Sequence, residues 1–497
     1  MTTTFIENEL EATGVAQVIV ILKPGAASAL AAAGAAAVAT YTAAGGGAAG
    51  AAAAFESVRP GIMAHFRSSE RSVNSQIAAA GMKKADIFLG AAAATAATVV
   101  QPAPVQYYPN LGVMLGTVDR AGLVALEGDP QVDQVTGAPQ ISPIWPENIA
   151  AAKAPKDLTW GLRRLNVERV WTEGFTGKGV RVGHLDTGID GKHATLSKAV
   201  KKFAEFDLFG KLRKPAPKPY DTEDHGTHSA ATIAGRPVGN HHVGVAPDAD
   251  LLGAIVIEGG NVIARVLGGI DWALGQNMKV LSMSLGFRGW WDNFLPIMAV
   301  LRLRDVLPVI AVGNEGPGTS RSPGNYPNVL SVGAMSENGR VANFSGSQSF
   351  ARPDRPEVPY LVAPGVDVVS AKPGGGYQSM SGSSMATPHV AGLAALLFQA
   401  RPAATAAQVE QAILGSCTLL RGMTAARAGV GCPDAVRALE ILTGASLTPV
   451  SAPKKPAAKK KSSAKKKSPA KKRPASRKAA APVMHAAKKV ARRRRSA

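Results

Sequence analysis

Four stretches decide the architecture open to this chain: GVRVGHLDTG (179–188), DLLGAIVI (250–257), KVLSMSLG (279–286) and VLPVIAVGN (306–314). Their apolar residues run together, so a strand built from any of them has to be covered on both faces. Each is followed by a helical or loop segment. Strands of this kind alternating with helices indicate a mostly parallel sheet with helices on two sides, a doubly wound α/β fold. Ligands of such sheets lie beyond the carboxyl ends of the strands, and HLDTG, SLG and GNEG all fall there. Helical patterns at 405–415 and 433–443 close this body.

A length of 497 residues, 46% of them hydrophobic, allows two to three structural units. The texture divides the chain at about residues 145 and 445. In 1–145, AQVIVILK (16–23) reads as a strand ended by Pro24-Gly25, and an Ala/Gly-rich insertion follows. A strand (NLGVMLGTV), a helix capped by Asp119 (DRAGLVALEG) and a second strand (QVDQVTGA) complete a small α+β unit over 106–142. Residues 446–497 hold thirteen lysines, six arginines and no acid, which is nearly all of the net charge of +21. Such a tail buries nothing and repels itself, so disorder is expected there, and its charge says nothing about the folded body.

Two cysteines, Cys417 and Cys432, are too few for a disulfide scaffold and lack metal-ligand spacing. The start, MTTTFIENELEATG, is acidic where a secretory leader is basic, and the uncharged stretch 25–55 is Ala and Gly rather than lipid-seeking residues. The reading is of a protein without a membrane span, in the cytoplasm or on the nucleoid; secretion by a route without a standard leader is the alternative.

The stretch SGSSMATPHVAG (381–392) offers three serines at the mouth of an apolar helix. A serine hydroxyl needs a base to take its proton and an acid to orient that base. Asp186, at the end of an apolar strand, is the acid candidate. His225, in DHGTHSAATIAG (224–235), is the base candidate, with His228 three residues on. Ser384 is the best-placed serine, because a helix N-terminus favours developing negative charge.

In this order, HLDTGID, DHGTHSAATIAG, SMSLG, AVGNEG and SGSSMATPHVAG resemble the motifs of the subtilisin-like serine proteases, over roughly residues 158–443. The resemblance implies Asp186 as the orienting acid, His225 as general base and acid, and Ser384 as nucleophile. It implies the Asn314 amide and the Ser384 backbone N–H as oxyanion donors, and Ser284, Leu285, Gly286 and Gly313 as the segments that bind extended peptide. Registering SRSPGNYPNV (320–329) on the family places Arg321 at the floor of the primary specificity pocket, where it would favour acidic or long polar side chains. Ser383 stands where the family usually has Thr, and HSAATIAG replaces the commoner HVAGTIAG. GNHHVGVAPDAD (239–250) is shorter than the calcium loop of many relatives and lacks its ligand pattern, so no metal or other cofactor is expected.

The front segment, through QVIVILKPG and LVALEGDPQVDQVTGAPQ, resembles the inhibitory prosegment of the same family, which implies cleavage within 140–160, before WGLRRLNVERVW. The tail resembles linker-histone tails at KKSPAKKRP, which implies nucleic-acid binding by Lys459, Lys460, Lys461, Lys465, Lys466, Lys467, Lys471, Lys472 and Arg473. Two functions are therefore open: a self-processing serine endopeptidase tethered to polyanions, or a DNA-associated protein whose protease domain serves only autoprocessing or peptide binding. His241 and His242 read as a solvated turn, Trp290-Trp291 equally as a contact for peptide side chains or as a packed loop anchor, and Asp190 and Glu315 as local hydrogen-bond partners.

Overall fold

The computed structural model describes residues 2–23, 62, 64–66, 105–138, 141–207, 210–257 and 262–446. The Ala/Gly-rich stretch and the basic tail, with every lysine and arginine assigned to polyanion binding above, lie outside these residues. Among the described residues no helix is long and apolar enough to cross a membrane.

The four diagnostic stretches form the middle of a seven-stranded sheet. Its spatial order is Leu361–Pro364, Leu330–Met335, Leu307–Ala311, Val280–Met283, Arg181–Asp186, Asp250–Ile255 and Val200–Glu205. Every neighbouring pair is parallel. The first of these strands in the chain, Arg181–Asp186, lies between the third and the fourth. The winding direction therefore reverses beside it, and a crevice opens at its carboxyl end.

Successive strand residues feed two separate cores, as the two-residue period of a strand requires. Val182, Val280 and Val309 pack on one face with the helices His225–Ala234 and Ser383–Ala400. Leu281, Met283 and Ile310 pack on the other with Val262–Gly275 and Leu295–Leu303. Two closing helices, Ala406–Ser416 and Ala435–Thr443, stand where the 405–415 and 433–443 patterns put them.

The front residues form a four-stranded antiparallel sheet in the order Gln106–Tyr108, Val113–Val118, Ala16–Leu22 and Val132–Gly137. Asp119 caps the helix Arg120–Glu127 by accepting the Gly122 N–H at 2.8 Å. The strand Ala16–Leu22 is buried on both sides. Val18, Val20 and Leu22 face a core of the front unit, whereas Ile19 and Ile21 join the core built on Val262–Gly275. Polar contacts hold the same seam: Asp271 Oδ1 accepts the backbone N–H groups of Asn110 (2.6 Å) and Leu111 (3.1 Å), and the Tyr108 hydroxyl donates to Ala264 O at 3.0 Å. The helix Thr2–Thr13 is an addition to the sequence reading; Ile6 and Leu10, one turn apart, are its buried positions.

Candidate active site

Asp186 is the last residue of its strand and His225 the first of its helix. His225 Nδ1 lies 2.7 Å from Asp186 Oδ1, with both side chains buried. The carboxylate can only accept here, so Nδ1 carries the proton and Nε2 keeps its lone pair. Nε2 is buried and without a hydrogen-bond partner, and the ring meets Trp145 edge-on, with centroids 6.3 Å apart. Burial alone would raise the Asp186 pKa; the charge and hydrogen bond of His225, with the Thr187 N–H at 2.7 Å, outweigh it and hold the group below the ordinary carboxylate value. Burial likewise opposes the His225 cation, and the charge and hydrogen bond of Asp186 outweigh that, so its pKa is raised. His228 is a different case. Its Nε2 bonds Val368 O at 2.9 Å, and burial pulls its pKa down to about 3, which leaves it a neutral packing residue.

Ser384 is the second residue of the helix Ser383–Ala400, which packs against the helix that begins at His225. Pro388 stands four residues on inside this helix and has no N–H for the Ser384 carbonyl. The Ser284 hydroxyl, 3.4 Å away, approaches that carbonyl instead, joining the end of the strand Val280–Met283 to the start of the helix. Asn314 Oδ1 accepts both the N–H and the hydroxyl of Ser383, each at 2.8 Å. The amide orientation is fixed by these bonds, so Nδ2 points the other way. Ser383 therefore keeps the hydroxyl function of the commoner Thr.

The strap that crosses this site lies within 140–160, the range expected for cleavage, while its pairing on both sides is absent from the sequence reading. Ser142–Pro143 pairs antiparallel with Leu285–Gly286, and the Ile144 N–H donates to Ser284 O at 3.2 Å. On the other side Glu147 N–H donates to Ser381 O at 2.8 Å, and Asn148–Ala152 pairs antiparallel with Tyr377–Ser381. Between them, the Ser384 hydroxyl donates to Ile144 O at 2.6 Å and Asn314 Nδ2 to Trp145 O at 2.9 Å. Residues 142–152 thus lie in the crevice as an added strand. Pro143 and Pro146, which bias the residues before them toward extended backbone, are the signal that could have revealed it.

Gly286 and Gly313 line the same strip. A Cβ on Gly286 would come within 2.4 Å of Ser322 O, and Gly313 has φ of 114°, a conformation that favours glycine. Beside them Arg321 is only 6% exposed, so it does not reach into solvent. Its guanidinium pairs with Glu315 and donates to Ser142 Oγ at 2.8 Å. Arg288 also approaches Glu315, at 3.7 Å. Two guanidiniums thus stand around one carboxylate, that of Arg321 buried and that of Arg288 largely exposed.

The remaining sequence readings resolve simply. Trp290 packs on Tyr326 and Phe350, and Asp190 accepts the N–H groups of Lys192 and Gly374. His241 bonds Pro155 O and His242 stacks on Trp171, so the turn is packed rather than solvated. This turn brings no set of carboxylates together, and among the described residues no group of three His, Cys, Asp or Glu side chains is placed to hold a metal. Both cysteines are free thiols.

Comparison with known proteins agrees with this geometry. The model of the subtilase family matches residues 177–431. The chain is 36% identical to alkaline elastase YaB of Bacillus sp. (strain YaB) over 314 residues, 63% of this chain and 78% of the elastase. It is 32% identical to subtilisin E of Bacillus subtilis (strain 168), over 61% of this chain and 75% of the relative. With an alkaline protease of Shouchella clausii it shares 35% identity, over 63% and 75% of the two chains.

The electrostatics make one prediction. The His225 imidazole titrates above 6.5, and Asp186→Asn removes the charge that opposes burial, so the imidazole then titrates below 6.5. NMR titration of the ring protons of both proteins measures the two midpoints.

Proposed function

The chain belongs to the subtilase family and is a subtilisin-like serine endopeptidase; on that premise we propose that Asp186, His225 and Ser384 are its catalytic triad, that it cleaves its own strap, and that the front unit is its inhibitory prosegment. In this reading His225 Nε2 takes the Ser384 proton as Oγ attacks a peptide carbonyl. The resulting oxyanion is met by Asn314 Nδ2 and the Ser384 N–H, a donor of this kind being worth about 2.7–4 kcal/mol. Asp186 stabilises the imidazolium, which then gives its proton to the leaving amine. Water releases the acyl group from Ser384 by the reverse path.

The observation that carries the proposal is the strap. A segment of the chain occupies the crevice with a carbonyl against the candidate nucleophile. The bond we assign is Ile144–Trp145. Ile144 presents its carbonyl to Ser384 Oγ and its N–H to Ser284 O, whereas the next bond leads into Pro146, a tertiary amide whose ring crowds the leaving nitrogen. Attack at Ile144 requires its carbonyl to turn toward the Asn314 amide, which now donates to the Trp145 carbonyl. After cleavage the front unit stays seated through Ile19, Ile21 and the Asp271 contacts.

Two finer readings rest on the same premise. A pocket floor of Arg321, Glu315 and Arg288 favours an acidic or long polar side chain, which could take the hydrogen bonds Arg321 now makes to the strap. The tail, with its charge and without an aromatic residue to stack on bases, suits sequence-independent binding to nucleic acid and hence a place on the nucleoid.

Three outcomes are expected. Intact-mass analysis finds wild type split after Ile144, with a new N-terminus at Trp145, whereas Ser384→Ala stays whole and takes up no fluorophosphonate probe; a whole wild type that still labels would make the front unit a permanent module. Peptide libraries show wild type preferring Glu to Phe before the scissile bond, and Arg321→Gly lowers that ratio about tenfold or more; equal cleavage by wild type removes the pocket reading. Truncation after Ala445 abolishes DNA binding, which in the full chain weakens steeply from 50 to 200 mM salt; affinity independent of salt refutes the tail assignment.

A further inference from the structure

Behind the Asp186–His225 pair sits a second buried polar pair that the triad assignment does not use. His184 precedes Asp186 by two residues on the same strand, so both side chains project from one face. Ser229 follows His225 by one helical turn. Each is 2% exposed. His184 Nε2 lies 2.9 Å from Ser229 Oγ and 3.1 Å from Gly226 O. A carbonyl can only accept, so Nε2 carries the proton. His184 Nδ1 is buried with no hydrogen-bond partner, so a second proton there would be an unpaired buried charge, and the ring is neutral.

With His184 donating to it, Ser229 Oγ keeps its own proton free to donate. Three acceptors lie within reach: His225 O at 2.9 Å, Gly226 O at 3.2 Å and Asp186 Oδ2 at 3.4 Å. The Asp186 oxygens differ in their support. Oδ1 accepts from both His225 Nδ1 and the Thr187 N–H, while the one side-chain or backbone donor near Oδ2 among the described residues is Ser229. Two apolar side chains would fill the same space without the cost of desolvating polar groups, so packing gives no reason for a His and a Ser here.

We propose that Ser229 and His184 are positioning residues for Asp186. The Ser229 hydroxyl holds Oδ2, and His184 turns that hydroxyl toward the carboxylate. Holding Oδ2 stops the carboxylate from rotating off the imidazole and draws part of its charge away from His225. The titratable groups facing His184 are Asp186 and His225; Asp221 adds its charge near His225.

The inference rests on the triad reading, and a double-mutant cycle tests the two separately. Ser229→Ala, His184→Leu, the double variant and Asp186→Asn are compared with wild type on a peptide substrate for kcat, KM and the acid limb of the rate profile. Ser229→Ala and His184→Leu are each expected to lower kcat about three- to tenfold with KM unchanged. Each also moves the acid limb to higher pH, because an Oδ2 without its donor pulls harder on the imidazole proton. The double variant resembles either single one, since His184 acts through Ser229. Unchanged kcat and acid limb in Ser229→Ala, with Asp186→Asn nearly inactive, would overturn the positioning role alone; full activity of Asp186→Asn would overturn the triad reading itself. Should His184→Leu not fold, Ser229→Ala decides the matter, since it removes a single oxygen atom.

Discussion

A 2.7 Å hydrogen bond between two buried groups, Asp186 Oδ1 and His225 Nδ1, sets the terms for everything around it. A carboxylate inside a protein is costly unless donors surround it, and the fold supplies them from three sources. The strand ends on Asp186 so that the next N–H, that of Thr187, turns back onto the carboxylate. The helix begins at His225, which brings in the imidazole, and Ser229 follows one turn later. Thr187 is itself held by Asp221, whose carboxylate accepts its hydroxyl at 2.7 Å and also receives the Thr227 N–H and hydroxyl. The parallel sheet places the first turn of a helix against the end of a strand, and the buried pair occupies that junction.

The crevice beside this pair has strand-forming edges on both sides, Leu285–Gly286 and Tyr377–Ser381, and unpaired edges of this kind attract any extended segment. Residues 142–152 satisfy both, which explains how a stretch whose one charged side chain is Glu147 keeps so defined a path. The main-chain hydrogen bonds ignore sequence, so discrimination has to come from side-chain pockets. The buried Arg321 side chain lies against both Gly286 and Gly313, where a Cβ would come within 3.3 Å and 3.1 Å of it.

Much of the sheet was legible because both faces of it are buried. Continuous apolar runs such as VIAV leave few alternatives, and the Asp119 cap and the closing helices follow local rules of the same kind. The crevice was legible in part: each motif sits at a strand end or a helix start, where backbone geometry exposes one side chain. What sequence could not show were pairings between distant segments. The helix Thr2–Thr13 buries Ile6 and Leu10, and it packs on the sheet beneath it. The Arg321–Glu315–Arg288 cluster joins a loop and two short strands. His184 and Ser229 are 45 residues apart, and neither looks unusual until the strand and the helix are packed.

The strap meets the crevice through two carbonyl groups rather than one. The Ser384 hydroxyl donates to Ile144 O and the Asn314 amide to Trp145 O. The two donors therefore serve adjacent peptide groups, and the Ser384 proton lies on the strap while His225 Nε2 has no partner. Bringing both donors to one peptide group requires a shift of one carbonyl and no rearrangement of the sheet. The front unit, through Ile19 and Ile21 of its buried strand Ala16–Leu22, is seated on the core built on Val262–Gly275 and so ties the strap to the crevice.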